Sequence, residues 1–149
     1  MGEITELNTK KLYETNDFSE LDLSGFIDKK QFSEYFKQLI EDKQKENPLL
    51  TKSYILGNCK IGSSYFYELL NTERISNKNP TKYLLVEICI VIGASIAETN
   101  TLLKYAGVGQ LYARKEEDFI IMWGLAHHIS YEDILEKLCD SGYSNLFGD

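Results

Sequence analysis

The chain has little that breaks a helix, little that could hold a metal, and no excess of positive charge. Only two of its 149 residues are proline, Pro48 and Pro80. Long stretches therefore run without a breaker, which argues for helices joined by short turns. No apolar run approaches the roughly 20 residues that span a bilayer. The longest, Tyr83 to Ala97, is interrupted by Glu87. The opening segment, Met1 to Lys11, is polar and acidic, unlike a signal peptide, so no membrane association and a cytoplasmic location are expected. The three cysteines, Cys59, Cys89 and Cys139, are odd in number, far apart and form no CxxC pair. They read as reduced thiols in or near a core, not as a disulfide framework or a metal site. The chain has neither a Gly-rich phosphate loop nor an HExxH pair, and no Ser/His/Asp set stands out. No enzyme, no cofactor and no metal is expected. The two histidines, His127 and His128, sit at the end of a helical stretch, where the helix dipole favours a cationic ring.

What is present is enough apolar material for a core: 43% hydrophobic residues and 12% aromatic. Net charge is -7, the wrong sign for a nucleic-acid binder taken as a whole, but the charge is unevenly spread. Residues 1–51 carry 7 basic and 11 acidic side chains, and residues 83–149 carry 4 and 10. Residues 52–82 carry 5 basic side chains (Lys52, Lys60, Arg74, Lys78 and Lys82) against Glu68 and Glu73. This is the one basic island in an acidic chain.

Residues 1–30 read as a partly ordered arm, with scattered apolar residues and polar breaks. From Asp28 onward Phe32, Tyr35, Phe36, Leu39 and Ile40 fall at helical spacing, and Asn47-Pro48 predicts the stop. Thr51 or Ser53 is expected to cap a short second helix. A turn follows around Cys59-Lys60, and Ser63 or Ser64 is expected to open a third helix. Ile61, Tyr65 and Leu69 should pack inward. Pro80 suits the first turn of a fourth helix.

The second half repeats itself. Ser95 to Tyr112 aligns without gaps on Ser130 to Phe147, an offset of 35 residues. Each copy reads as an apolar helix, a turn, a Ser cap with an acid three residues on, a second helix, a Gly cap and a hydrophobic latch. Gly107 and Gly142 should both have positive φ. The latches Leu111/Tyr112 and Leu146/Phe147 should fold back on their own hairpins. Glu116, Glu117 and Asp118 open a helix, where acids stabilise the N-terminal end. Trp123 reads as core or oligomer interface.

The stretch Ser53 to Arg74 resembles the helix-turn-helix core of the Cro/phage-repressor (XRE-type) family. From Phe32 to Leu146 the chain is similar to Firmicutes helix-turn-helix regulators, in which a Leu-Leu-x-x-Ala-Gly-x-x-x-Leu-Tyr segment follows the core. Here that segment is Leu102 to Tyr112, and the acidic, Ile-rich helix Glu116 to Ile121 comes next. The turn position that is often Gly in the family is Lys60 here, and an often basic position is Glu73.

The resemblance implies an all-α fold: a phage-repressor-like helix-turn-helix bundle over 31–112, extended by a duplicated helical hairpin at 113–149. It implies a recognition helix over 63–70 in the major groove. Ser63, Ser64, Tyr67 and Glu68 would face bases, and Lys52, Lys60, Arg74 and Lys78 would hold phosphates. The expected partner is double-stranded DNA with a palindromic operator, bound by a homodimer. The last hairpin would supply the dimer contact or a surface for a protein partner, because Trp123, Ile134 and Leu138 exceed what it can bury alone. The function expected is transcriptional regulation, most simply repression. The acidic charge sets a second reading beside it: a helical interaction module, an antitoxin or adaptor, whose helix-turn-helix no longer reads DNA.

Overall fold

The computed structural model describes residues 29–71 and 79–148, and all regular structure among them is helical. Seven helices are described: α1 Lys29–Glu46, α2 Lys52–Asn58, α3 Ser63–Leu70, α4 Lys82–Ile92, α5 Ile96–Ala106, α6 Glu116–Ala126 and α7 Tyr131–Asp140. The expected N-terminal arm lies outside the described residues, apart from Lys29 and Lys30, which begin α1.

Local chemistry explains most of the boundaries. α1 stops at Glu46, and Asn47 then accepts from the Leu49 amide through its own Oδ1 at 3.1 Å, a turn that suits Asn before Pro. Thr51 caps α2 by accepting from Tyr54 N at 3.1 Å. α3 opens at Ser63, as expected, and the cap position before it is Gly62, which has no side chain to offer. Ser63 and Ser64 are therefore the first two helical residues, and both are exposed. Pro80 sits earlier than expected. Thr81 is the cap of α4, accepting from Leu84 N, and Pro80 precedes it as a buried residue.

The 35-residue repeat is visible in the hydrogen bonds. Ser95 and Ser130 both cap, accepting from Glu98 N and Asp133 N at 3.0 and 3.2 Å. Only the first copy closes the full capping box, with Glu98 Oε1 accepting from Ser95 N at 2.9 Å. Glu98 also pairs with Lys43 of α1 at 2.9 Å. Burial works to raise its pKa, but the Ser95 amide and the Lys43 ammonium outweigh that and hold it below the ordinary value. After each second helix the chain closes the same way: Val108 N donates to Leu103 O, and Tyr143 N to Leu138 O. Both closures need a left-handed residue, supplied by Gly107 (φ 73) and Gly142 (φ 94). Gly142 stands one residue beyond its cap, Ser141. The turns inside the hairpins correspond as well, with Gly93 (φ 74) in the first copy and His128 (φ 53) in the second.

The latches differ between copies. Leu111 is buried and Tyr112 exposed, whereas Phe147 is buried and Leu146 only half-buried. Phe147 does not stay on its own hairpin. Its ring meets Tyr131 at 6.3 Å and also Tyr83 of α4 at 6.5 Å. One apolar core runs from Phe32 through Phe36, Phe66, Leu85 and Leu102 to Ile134, Leu138 and Phe147. Ile134 and Leu138, expected to be partly left over, are fully buried within the chain, while Trp123 is 43% exposed and so is not a core residue.

The last hairpin closes tightly at Gly124. A Cβ there would lie 2.5 Å from Ile134 Cδ1 and 2.6 Å from Cγ1. Gly124→Ala should therefore destabilise the fold. Overpacking costs about 1–3 kcal/mol, against a helix-propensity gain of about 1 kcal/mol, and Ile134 is fully buried, so moving its side chain disturbs the core around it. Adding Ile134→Ala, which removes both of these atoms, should make the combined loss less than additive in urea denaturation. Additive losses would show that the two side chains do not collide.

Candidate nucleic-acid interface

α3 divides cleanly by helical period. Phe66, Leu69 and Leu70 are buried. Phe66 packs edge-on to Phe36 of α1 at 6.0 Å between ring centroids. Ile61, just before the helix, is also buried, and Tyr65 is half-buried. That leaves Ser63, Ser64, Tyr67 and Glu68 on the exposed side. The four residues expected to face bases thus share one solvent face. It opens at the N-terminal end of the helix, where backbone N–H groups have no intrahelical acceptor.

Lys52 joins this face from the first turn of α2. Its ammonium lies over the Tyr67 ring, 5.3 Å from the centroid, a cation–π contact that holds the lysine beside α3. Lys37, Glu41 and Gln44 of α1, with Lys52 and Tyr67, line a depression of about 280 Å³ at this edge. Lys60 stands in the turn between α2 and α3 with its side chain exposed. Arg74 and Lys78 lie outside the described residues. Of the four expected phosphate ligands, two lie in described residues: Lys52 is held beside α3, and Lys60 is exposed in the turn that leads into it. Glu68 brings negative charge to the same face.

Two carboxylates are buried in the core, and one of them, Glu87, bonds to the turn before α3. Glu87 of α4 is 1% exposed. Its Oε1 accepts from the Lys60 amide at 2.6 Å, and its Oε2 accepts from the Tyr131 hydroxyl of α7. The turn between α2 and α3 and the last hairpin thus meet at one side chain. Burial and the Glu87 charge both push the Tyr131 phenol upward, so it stays a donor. Asp118 is fully buried. It accepts from Lys82 Nζ at 2.7 Å, Tyr83 OH at 2.6 Å and Tyr112 N at 2.9 Å. Burial acts to raise its pKa, but these donors prevail and hold it below the ordinary 3.8. By sequence Asp118 groups with Glu116 and Glu117 as a helix-opening acid. It does stand in the first turn of α6, and it is in addition the anchor between the first hairpin, the loop and α6. The signal available was slight: an acid inside an apolar run at Glu87, and Asp118 directly before Phe-Ile-Ile.

The cysteines are spread rather than clustered. Cys89 is buried and Cys59 half-buried, and burial pushes both thiols up to about 12, which keeps them protonated. Cys139 departs from the expected core placement. It is exposed, because Leu138 takes the buried position beside it and successive helical residues point about 100° apart. Among the described residues no group of three or more His, Cys, Asp or Glu could hold a metal ion. No described helix is long and apolar enough to cross a membrane. No protein-family model, curated protein or solved structure matches the chain.

Proposed function

We propose that the chain is a DNA-binding transcriptional regulator of the helix-turn-helix kind, most simply a repressor, reading the major groove with α3 and binding a palindrome as a homodimer. The observation that carries this is the exposed face of α3. Ser63, Ser64, Tyr67 and Glu68 lie together on it, Lys52 is stacked beside it, and the opposite face is locked into the core through Phe66 and Leu69. Serine donates to or accepts from base edges, and Glu can accept from cytosine N4. Lys52 and Lys60 would meet phosphates on either side.

The test is selection of bound sequences from random duplex DNA, followed by substitution. Lys60→Ala or Arg74→Ala should weaken binding to all sequences about equally. The slope of log affinity against log salt should fall by about one unit for each phosphate no longer neutralised. Ser64→Ala or Tyr67→Ala should instead relax preference at one or two base pairs, by about 1–3 kcal/mol per position. Glu68→Gln separates two roles: loss of preference at one base pair marks cytosine readout, while tighter binding everywhere marks mere repulsion of phosphate. If no duplex is selected, the regulator reading fails. The net charge of -7 then favours the second reading, an acidic helical interaction module on the same scaffold.

A further inference from the structure

The outer face of α6 is apolar where most surface helices are charged. Helical period places Glu116, Phe119, Trp123, Ala126 and His127 within one arc about 100° wide, and all five are exposed. The opposite side, through Asp118, Ile121 and Leu125, is buried. Phe119 is 57% exposed and Trp123 43%. They stand one turn apart, and the Trp123 ring continues onto His127 at 5.8 Å. The arc is therefore a ridge of aromatic surface with a carboxylate at its N-terminal end and an imidazole at its C-terminal end.

We propose that this ridge pairs with the same ridge of a second copy of the chain, the two α6 helices running antiparallel about a two-fold axis between Phe119 and Trp123. The argument is self-complementarity, which a two-fold contact demands because one patch must serve both sides. With the axis there, Phe119 of each copy lies opposite Trp123 of the other, and Ala126 leaves room for close approach. Glu116 of each lies opposite His127 of the other. Histidine offers a ring N–H in either protonation state, so the acidic and imidazole ends match twice in one interface. A parallel pairing would instead set Glu116 against Glu116. Aromatic anchors at the centre with a polar rim are the usual anatomy of a protein interface. The proposal deepens the regulator reading by naming the surface that would join two recognition helices, and its test needs no DNA, so either can fail alone.

Trp123 is the only tryptophan in the chain, so its fluorescence reports on this face directly. Sedimentation equilibrium from low to high micromolar protein, with emission spectra on the same samples, should show dimers forming as Trp123 emission moves to shorter wavelength. Phe119→Glu should abolish both changes while leaving helix content intact by circular dichroism. Glu116→Lys and His127→Glu should each weaken the dimer about tenfold, equivalent to 1.4 kcal/mol. The doubly substituted chain, in which the partners exchange sign, should regain most of that loss. A chain that stays monomeric at high micromolar concentration would overturn the proposal. So would a dimer whose Trp123 emission is unchanged and which survives Phe119→Glu, because it would be built on another surface.

Discussion

Glu87→Leu should lower the free energy of unfolding by about 2 kcal/mol, since a buried donor left without an acceptor costs about 1–3 kcal/mol and the two donors here are each partly buried. The two donors are the Lys60 amide and the Tyr131 hydroxyl, and Glu87 is itself 1% exposed, so water cannot easily replace it. Leu fills the space left by the carboxylate, which keeps the cavity contribution small and isolates the polar one. Tyr131→Phe in the Glu87→Leu background removes one orphaned donor and should restore about 1 kcal/mol of the stability that the first change removed. Glu87→Gln keeps an acceptor for the Lys60 amide, and the Tyr131 hydroxyl can turn to meet the amide group, so it should be the mildest of the series. Urea denaturation read by circular dichroism gives these differences. Equal losses for Leu and Gln, which fill similar volumes and both lack the charge, would mean that the carboxylate's charge and not its hydrogen-bond acceptors carries the stability. The functional consequence belongs to the turn. With Glu87 gone, the Lys60 amide should lose protection against hydrogen exchange before the helices do.

Asp118→Asn should cost about 3 kcal/mol at neutral pH. Breaking a buried pair by removing one charge typically costs about 3–5 kcal/mol, and the Lys82 side chain, 16% exposed, can recover a little hydration. The dependence on pH carries the sign of the effect. The folded carboxyl titrates below its ordinary value of 3.8, so its stabilisation is fully present above that value and is lost as the pH falls through the folded one. The gap in stability between the native chain and Asp118→Asn should be constant at neutral pH and narrow below about pH 4, first as the unfolded carboxyl takes up a proton and then, at lower pH, as the folded one does. A gap unchanged into strong acid would show that hydrogen-bond geometry, and not charge, holds α6 to α4. Lys82→Met should reproduce part of the loss and flatten the same pH dependence.

The amino-acid sequence by itself determined the parts of this protein that depend on neighbours a few residues apart. Helical content, the stop at Asn47-Pro48, the Ser95 capping box, the glycine closures at 107 and 142 and the 35-residue repeat all follow from backbone chemistry within one or two turns. The split of α3 into a buried and an exposed side was legible for the same reason, since a 3.6-residue period needs no knowledge of what lies opposite. The tertiary structure decided which polar residues go inside. Glu87 bonds to partners 27 and 44 residues away, and Asp118 to partners 35 and 36 residues away. No local pattern marks them, because a carboxylate in an apolar run reads the same whether it is a solvent-facing break or a buried anchor. The same holds for Trp123, Ile134 and Leu138, three apolar residues of one hairpin. Packing against α4 and α6 buried the last two and left the first, with Phe119, in solvent. That outcome depends on which faces other elements cover, and it is fixed only when the helices meet.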